Sequence, residues 1–193
     1  WGTEWRLSRS FMMRACSIPP RCGTCMIRLA QTRRFRARWT EAIQREWLTA
    51  LLHNRPELDE AKLARTMTLI NQAVPDCLVT GYEHLTEQLS LPDPNDRHVL
   101  AAAIRCGAQA IVTLNLKDFP TETLAEFEIV PRHPDDFILD LADLEPAVVP
   151  AAAKLQRAAL KDPPLSPEGF VSTLRRQGLP GVAAFLQNEI ALI

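Results

Sequence analysis

Apolar positions recur at helical spacing in several separate blocks of this chain, with short apolar runs between them. From Thr40 to His53, residues Ile43, Trp47, Leu48, Leu51 and Leu52 fall on one side at three- and four-residue intervals, which predicts a helix with Thr40 as N-cap. Asn54-Arg55-Pro56 breaks it. Asp59 caps a second predicted helix over about residues 60–73, apolar at Leu63, Met67 and Ile70 and ended by Pro75. Residues 76–81 read as a short strand. Asp93-Pro94-Asn95-Asp96 reads as a helix start, with Asp93 at N-cap, Pro94 at N1 and Asp96 at N3. That helix runs through residues 99–104 and stops at Gly107, a natural residue for the left-handed position just past a helix end. Residues 110–114 predict a short buried strand, residues 115–120 the loop beyond its carboxyl end, residues 128–130 a further strand, and residues 133–136 the start of another helix. After about Leu144 the pattern predicts an Ala-rich helix, a Pro-rich break at residues 162–167 and a final helix to the C-terminus.

Helices alternating with short apolar strands imply an α/β fold with a parallel sheet covered on both faces. Binding sites in such folds form beyond the carboxyl ends of the strands, where Asn115 and Asp118 fall. A length of 193 residues suits one domain with a small appendage. Hydrophobic content of 47% beside 23% charged residues sets the expectation of an ordinary soluble protein. No apolar run approaches the roughly 18 residues of a membrane span, and residues 1–30 lack a signal-peptide core. These features suggest a cytoplasmic protein without a membrane partner.

The five cysteines are odd in number and irregularly spaced, as expected of reduced thiols. Cys22 and Cys25 resemble half a zinc knuckle, without a second pair to complete it. Residues 1–38 hold nine of the 22 Lys+Arg, all arginine, against the single acid Glu4. Such an arm suits RNA phosphates, unless the segment is not a natural folded sequence.

Candidate chemistry rests on carboxylates. Asp93 and Asp96 are explained by capping and the helix dipole, Asp118 by a solvated loop, and Glu46 by a helix surface at the border of the apolar face. Asp96 has a further claim, because the Asn115–Asp118 loop is expected beside the same helix start. His98, after Arg97, reads as a supporting or packing group instead of a ligand. His53, His84 and His133 sit in loops or helix ends. Converging carboxylates with few histidines suit Mg²⁺ or Mn²⁺, and the matching chemistry is phosphodiester hydrolysis.

The segment LPDPNDRHVLAAAIRCGAQAIVTLNLKDFP (residues 91–120) closely resembles the second half of a PIN domain, as found in VapC-type toxins, and FRARWTEAIQREW resembles the earlier part that carries the family's glutamate. The likeness covers about residues 27–140. It implies a three-layer α/β/α PIN-like fold with a central parallel sheet over residues 27–144 and a helical C-terminal extension over 145–193. It also implies a Mg²⁺- or Mn²⁺-dependent endoribonuclease that is the toxin of a type II toxin–antitoxin system, with RNA as substrate, an antitoxin as partner and a homodimer as one assembly state. By position, Glu46, Asp96 and Asp118 match the family's catalytic and metal-binding acids. Asp93 is an accessory metal candidate, Asn115 stands beside Asp118, and Thr113 orients the loop or a water.

One element departs from the family. PIN domains begin with a strand ending in aspartate, whereas this chain has FMMRACSIPPRCGTCMIRLA, with no acid between Glu4 and Glu41 and no recognisable apolar strand. Methionine has a single codon, so reading one base earlier across Met12-Met13 forces an aspartate codon. The same shift permits Ala-Cys-Val-Leu and then an Arg-Asp-Leu run, with the normal frame resuming near Met26. Residues 1–26 are therefore read as an aberrant, frameshifted segment, and Trp1 fits a misassigned start. Arg14 near the vacant acid position would repel a cation. The alternative is a catalytically inactive PIN-like module that binds RNA or protein. A haloacid-type phosphatase also needs an aspartate after its first strand and gives no better account of the 115–118 loop.

Overall fold

A computed structural model describes residues 10–13, 20–161 and 163–193, the side chains of residues 20–23 excepted. It shows an α/β protein with a four-stranded parallel sheet, flanking helices and further helices toward the C-terminus. The described residues fall into two compact units. One holds β1 (Ser10–Met13) and Arg33–Arg132, and the other holds α1 (Pro20–Gln31) and His133–Ile193.

In the first unit the strands are β1, β2 (Arg36–Arg38), β3 (Ala110–Val112) and β4 (Val130–Arg132), in the order β2-β1-β3-β4. β1 is central and entirely buried. Its Phe11 meets Phe35 edge to face, with ring centroids 5.9 Å apart. This corrects the expectation that no apolar strand precedes residue 27. Ser-Phe-Met-Met carries no acid at its end, but three large apolar side chains suffice for a short strand between two neighbours. β2 has no clear signature, since two of its three residues are arginines at the sheet edge. Pro131 is tolerated because β4 is the other edge strand.

Four helices follow β2: α2 (Glu41–Asn54), α3 (Glu60–Ala73), the single turn α4 (Glu83–Thr86) and α5 (Arg97–Arg105). The predicted caps of α2 and α3 form. Thr40 Oγ1 accepts from Ile43 N at 3.1 Å, and Asp59 Oδ1 accepts from Ala61 N at 2.9 Å. Asn71 of α3 fixes α2 in place. Its Oδ1 accepts from the Trp39 indole at 2.9 Å and from Gln44 Nε2 at 2.7 Å, and its Nδ2 donates back to Gln44 Oε1. α5 packs on β1 and β3, and its fully buried Ala101, Ala102 and Ala103 allow a close approach. Gly107 takes the left-handed conformation (φ +62°) that ends it.

Two strand expectations shift. Residues 76–81 form no strand, only a parallel bridge between Leu78 and Trp39. Left-handed Asp76 and Gly81 bracket the segment and leave too little extended chain for a ladder. The strand expected at 128–130 begins at Val130 instead, after α6 (Thr121–Ala125), because Glu128 is itself left-handed (φ +58°).

The second unit is helical: α1, α7 (Pro134–Leu144), α8 (Val148–Ala158), α9 (Pro167–Arg176) and α10 (Pro180–Asn188). α1 packs on α8, and α10 packs on α7 and α9. The single final helix expected from sequence is two, separated at left-handed Gly178 and Pro180. Asp135, in the first turn of α7, is buried and accepts from Gly181 N and Val182 N, each at 2.8 Å. It thereby caps α10, whose own N-cap residue Leu179 supplies no side-chain hydrogen bond.

Candidate active site

The chain reaches α5 through a tightly specified turn. Asp93 is extended (φ −101°, ψ 114°) and its Oδ1 accepts from Asn95 N at 2.9 Å. Pro94 pre-sets the turn, Pro94–Asp96 form one 3-10 turn, and α5 begins at Arg97. Asp93 is thus engaged in shaping the helix start. Asp96 is different: only 2% exposed, it makes no side-chain capping bond to α5. A carboxylate taken this far from water is expensive unless polar groups or a cation answer it.

Glu46 comes from α2, held in register by the Thr40 cap and the Asn71 bonds. It reaches α5 at His98, with Oε1 2.8 Å from Nε2. The separation is that of an ion pair when the imidazole is protonated, although the angle falls short of an aligned hydrogen bond. His98 lies in the first turn of α5, so the contact ties α2 to the head of that helix. The sequence marks His98 only as a supporting residue. Its pairing with Glu46, 52 positions away, has no local signature.

Asp118 is placed by a relay from β3. Val112 pairs with Met13 on one side and Arg132 on the other, and Thr113 N extends the ladder by donating to Arg132 O at 3.0 Å. Thr113 is fully buried, and its Oγ1 accepts from Asn115 N at 3.1 Å. Asn115 Nδ2 in turn donates to Asp118 Oδ2 across the 3-10 turn Leu116–Asp118. Fully buried Phe119 anchors the end of the loop. A buried hydroxyl therefore sets the loop amide, and the loop amide sets the carboxylate.

Two contacts result: Glu46 with His98 at the first turn of α5, and Thr113-Asn115-Asp118 beyond β3. Met13 ends the central strand beside Val112, one residue before Thr113, where an acid on β1 would join them. Arg14 lies outside the described residues. Among the described residues, no group of three His, Cys, Asp or Glu side chains could hold a metal ion. The described residues by themselves therefore do not make a complete Mg²⁺ or Mn²⁺ centre. Cys25 is no substitute, because complete burial pushes its thiol up to about 12 and keeps it protonated. Cys25, Cys77 and Cys106 are free thiols.

A four-stranded parallel sheet with helices packed on it, Asp118 in the loop beyond β3 and Asp96 at the head of α5, defines the α/β class of the protein. The comparisons specify the family. The PIN domain profile matches residues 22–117, and the VapC50 C-terminal domain profile matches residues 134–188. The curated protein named "Putative ribonuclease VapC50", from Mycobacterium tuberculosis (strain ATCC 25618 / H37Rv), is 37% identical over 127 residues, covering 64% of this chain and 74% of that protein. No solved structure gives a significant match. The chain belongs to the PIN domain family. Among the described residues, no helix is long and apolar enough to cross a membrane.

Proposed function

We propose that this chain is a VapC-type endoribonuclease by descent, Mg²⁺- or Mn²⁺-dependent in its complete form, whose present sequence binds RNA but cleaves it poorly. The observation that carries the reading is Asp96, a carboxylate only 2% exposed at the head of α5, the helix whose first turn also takes the contact from Glu46 through His98. The 37% identical relative named as a ribonuclease supports the substrate class. Glu46, Asp96 and Asp118 are the proposed metal-binding and catalytic acids, with Asp93 accessory and Asn115 and Thr113 supporting them. When bound, a divalent ion supplies an activated water and offsets charge on the phosphate oxygens. The described residues do not complete such a centre, so in this chain they are assigned binding and positioning roles.

The frameshift account explains the deficit. The aspartate codon forced across Met12-Met13 falls at the end of β1, beside Val112. Residues 1–26 are the proposed misread segment, 27–144 the PIN domain and 145–193 the helical extension. A cognate antitoxin, a cytoplasmic setting and a homodimer complete the proposal.

The test compares this chain with its frame-corrected counterpart on a labelled single-stranded RNA, with and without Mg²⁺. Binding by both and Mg²⁺-dependent cleavage by the corrected chain alone is the expected result. Equal cleavage by the two refutes the incomplete centre, and no binding by either refutes the ribonuclease reading. If resequencing shows that no one-base shift recovers the aspartate codon, the frameshift account fails.

A further inference from the structure

α2 has two faces. Ile43, Trp47 and Leu51 form its apolar stripe, and Ala42, Glu46, Thr49 and His53 fall on another side. Along this second side runs a groove of about 580 Å³, whose lining includes Ala42, Arg45, Glu46, Thr49, His53 and Asn54. At 1.5 Å of rise per residue, the stretch from Glu46 to His53 spans about 10 Å. Glu46 lines this groove and also contacts His98 at the head of α5, so the groove leads away from that helix start.

Its chemistry fits a nucleic acid strand. The side chain of Arg45 is exposed and, among the described residues, makes no hydrogen bond or ion pair. An unengaged guanidinium beside the site is a ready contact for a phosphate. Alanines at 42 and 50 leave room against the helix, Thr49 offers a hydroxyl, and the exposed ring of His53 offers a face on which a base can stack. The acidic balance of the chain beyond residue 38 makes this cation stand out.

We infer that the α2 groove is the track of the single-stranded RNA flanking the scissile phosphate, with Arg45 as a phosphate contact and His53 as a base-stacking platform. The inference rests on the ribonuclease reading and adds to it the path of the strand.

The test is equilibrium binding of a fluorescent single-stranded oligoribonucleotide to the full chain in EDTA over a range of salt concentrations. Arg45→Gln should lower the magnitude of the log K against log salt slope by about 0.7, the contribution of one phosphate contact on a single strand. Arg45→Lys should retain the wild-type slope, and His53→Ala should weaken binding about fivefold or more. Circular dichroism checks that these surface variants fold. An unchanged slope in Arg45→Gln overturns the inference while leaving the ribonuclease reading intact. Absence of RNA binding by the wild type overturns both.

Discussion

Asp96 and Asp135 arise from similar local sequence, a proline followed within two residues by an acid at a helix start, yet the two regions use them differently. In the helical unit, Asp135 spends both carboxylate oxygens on the backbone of another helix, accepting from Gly181 N and Val182 N. In the sheet unit, Asp93 shapes the turn and Asp96, more deeply buried, makes no cap for α5. A buried carboxylate that secures a helix end has a structural explanation. Asp96 is buried without capping α5, at the position matching a family acid, and its role is the point on which the two regions differ.

Substitution should separate the two regions by stability. Asp135→Ala should lose about 3 kcal/mol in denaturant unfolding, because it leaves two N–H groups at the head of α10 without their acceptor. A change below about 1 kcal/mol would mean that the cap is dispensable. Gly181→Ala attacks the same junction sterically. Its Cβ would stand 2.7 Å from Leu139 Cδ1 and 2.9 Å from Asp135 Oδ2, so a loss of about 1 to 2 kcal/mol is expected. In the sheet unit, Asn71→Ala should cost about 1 to 2 kcal/mol by releasing Gln44 and the Trp39 indole. It should also weaken RNA binding, since α2 carries Arg45 and His53. Thermal melts alongside RNA titration would show whether the two losses travel together. Asp93→Ala should remove about 1 kcal/mol, the ordinary worth of a cap; a larger loss would assign Asp93 more than the turn.

Local chemistry explains what could be read from the sequence. The helices at residues 41–54 and 60–73 have strong apolar periodicity and side-chain caps, and β3 is a short apolar run after a glycine stop. The left-handed residues Asp76 and Glu128 carry no such mark, so the pattern predicts a strand where only a bridge forms and starts another two residues early. β1 lacks the terminal acid that marks the family's first strand, whereas the sheet needs only its buried apolar side chains. In the site, the acids themselves stood out. The contact from Glu46 to His98 and the Thr113-Asn115-Asp118 relay depend on tertiary placement and loop geometry that composition does not encode. Asp135 shows the converse limit: its sequence announces a helix start, but not the second helix that it caps.

The central claim is that Asp96 is kept for chemistry and not for the fold. The direct measurement is Mg²⁺-dependent cleavage of a labelled single-stranded RNA by the frame-corrected chain, with and without Asp96→Asn, paired with unfolding curves of both proteins. The account predicts a loss of cleavage on the order of a hundredfold or more, as when a catalytic carboxylate is neutralised, with a stability loss well below that of Asp135→Ala or a gain, because the substitution removes a buried charge. Cleavage retained within a few-fold, or a stability loss as large as that of Asp135→Ala, would contradict it.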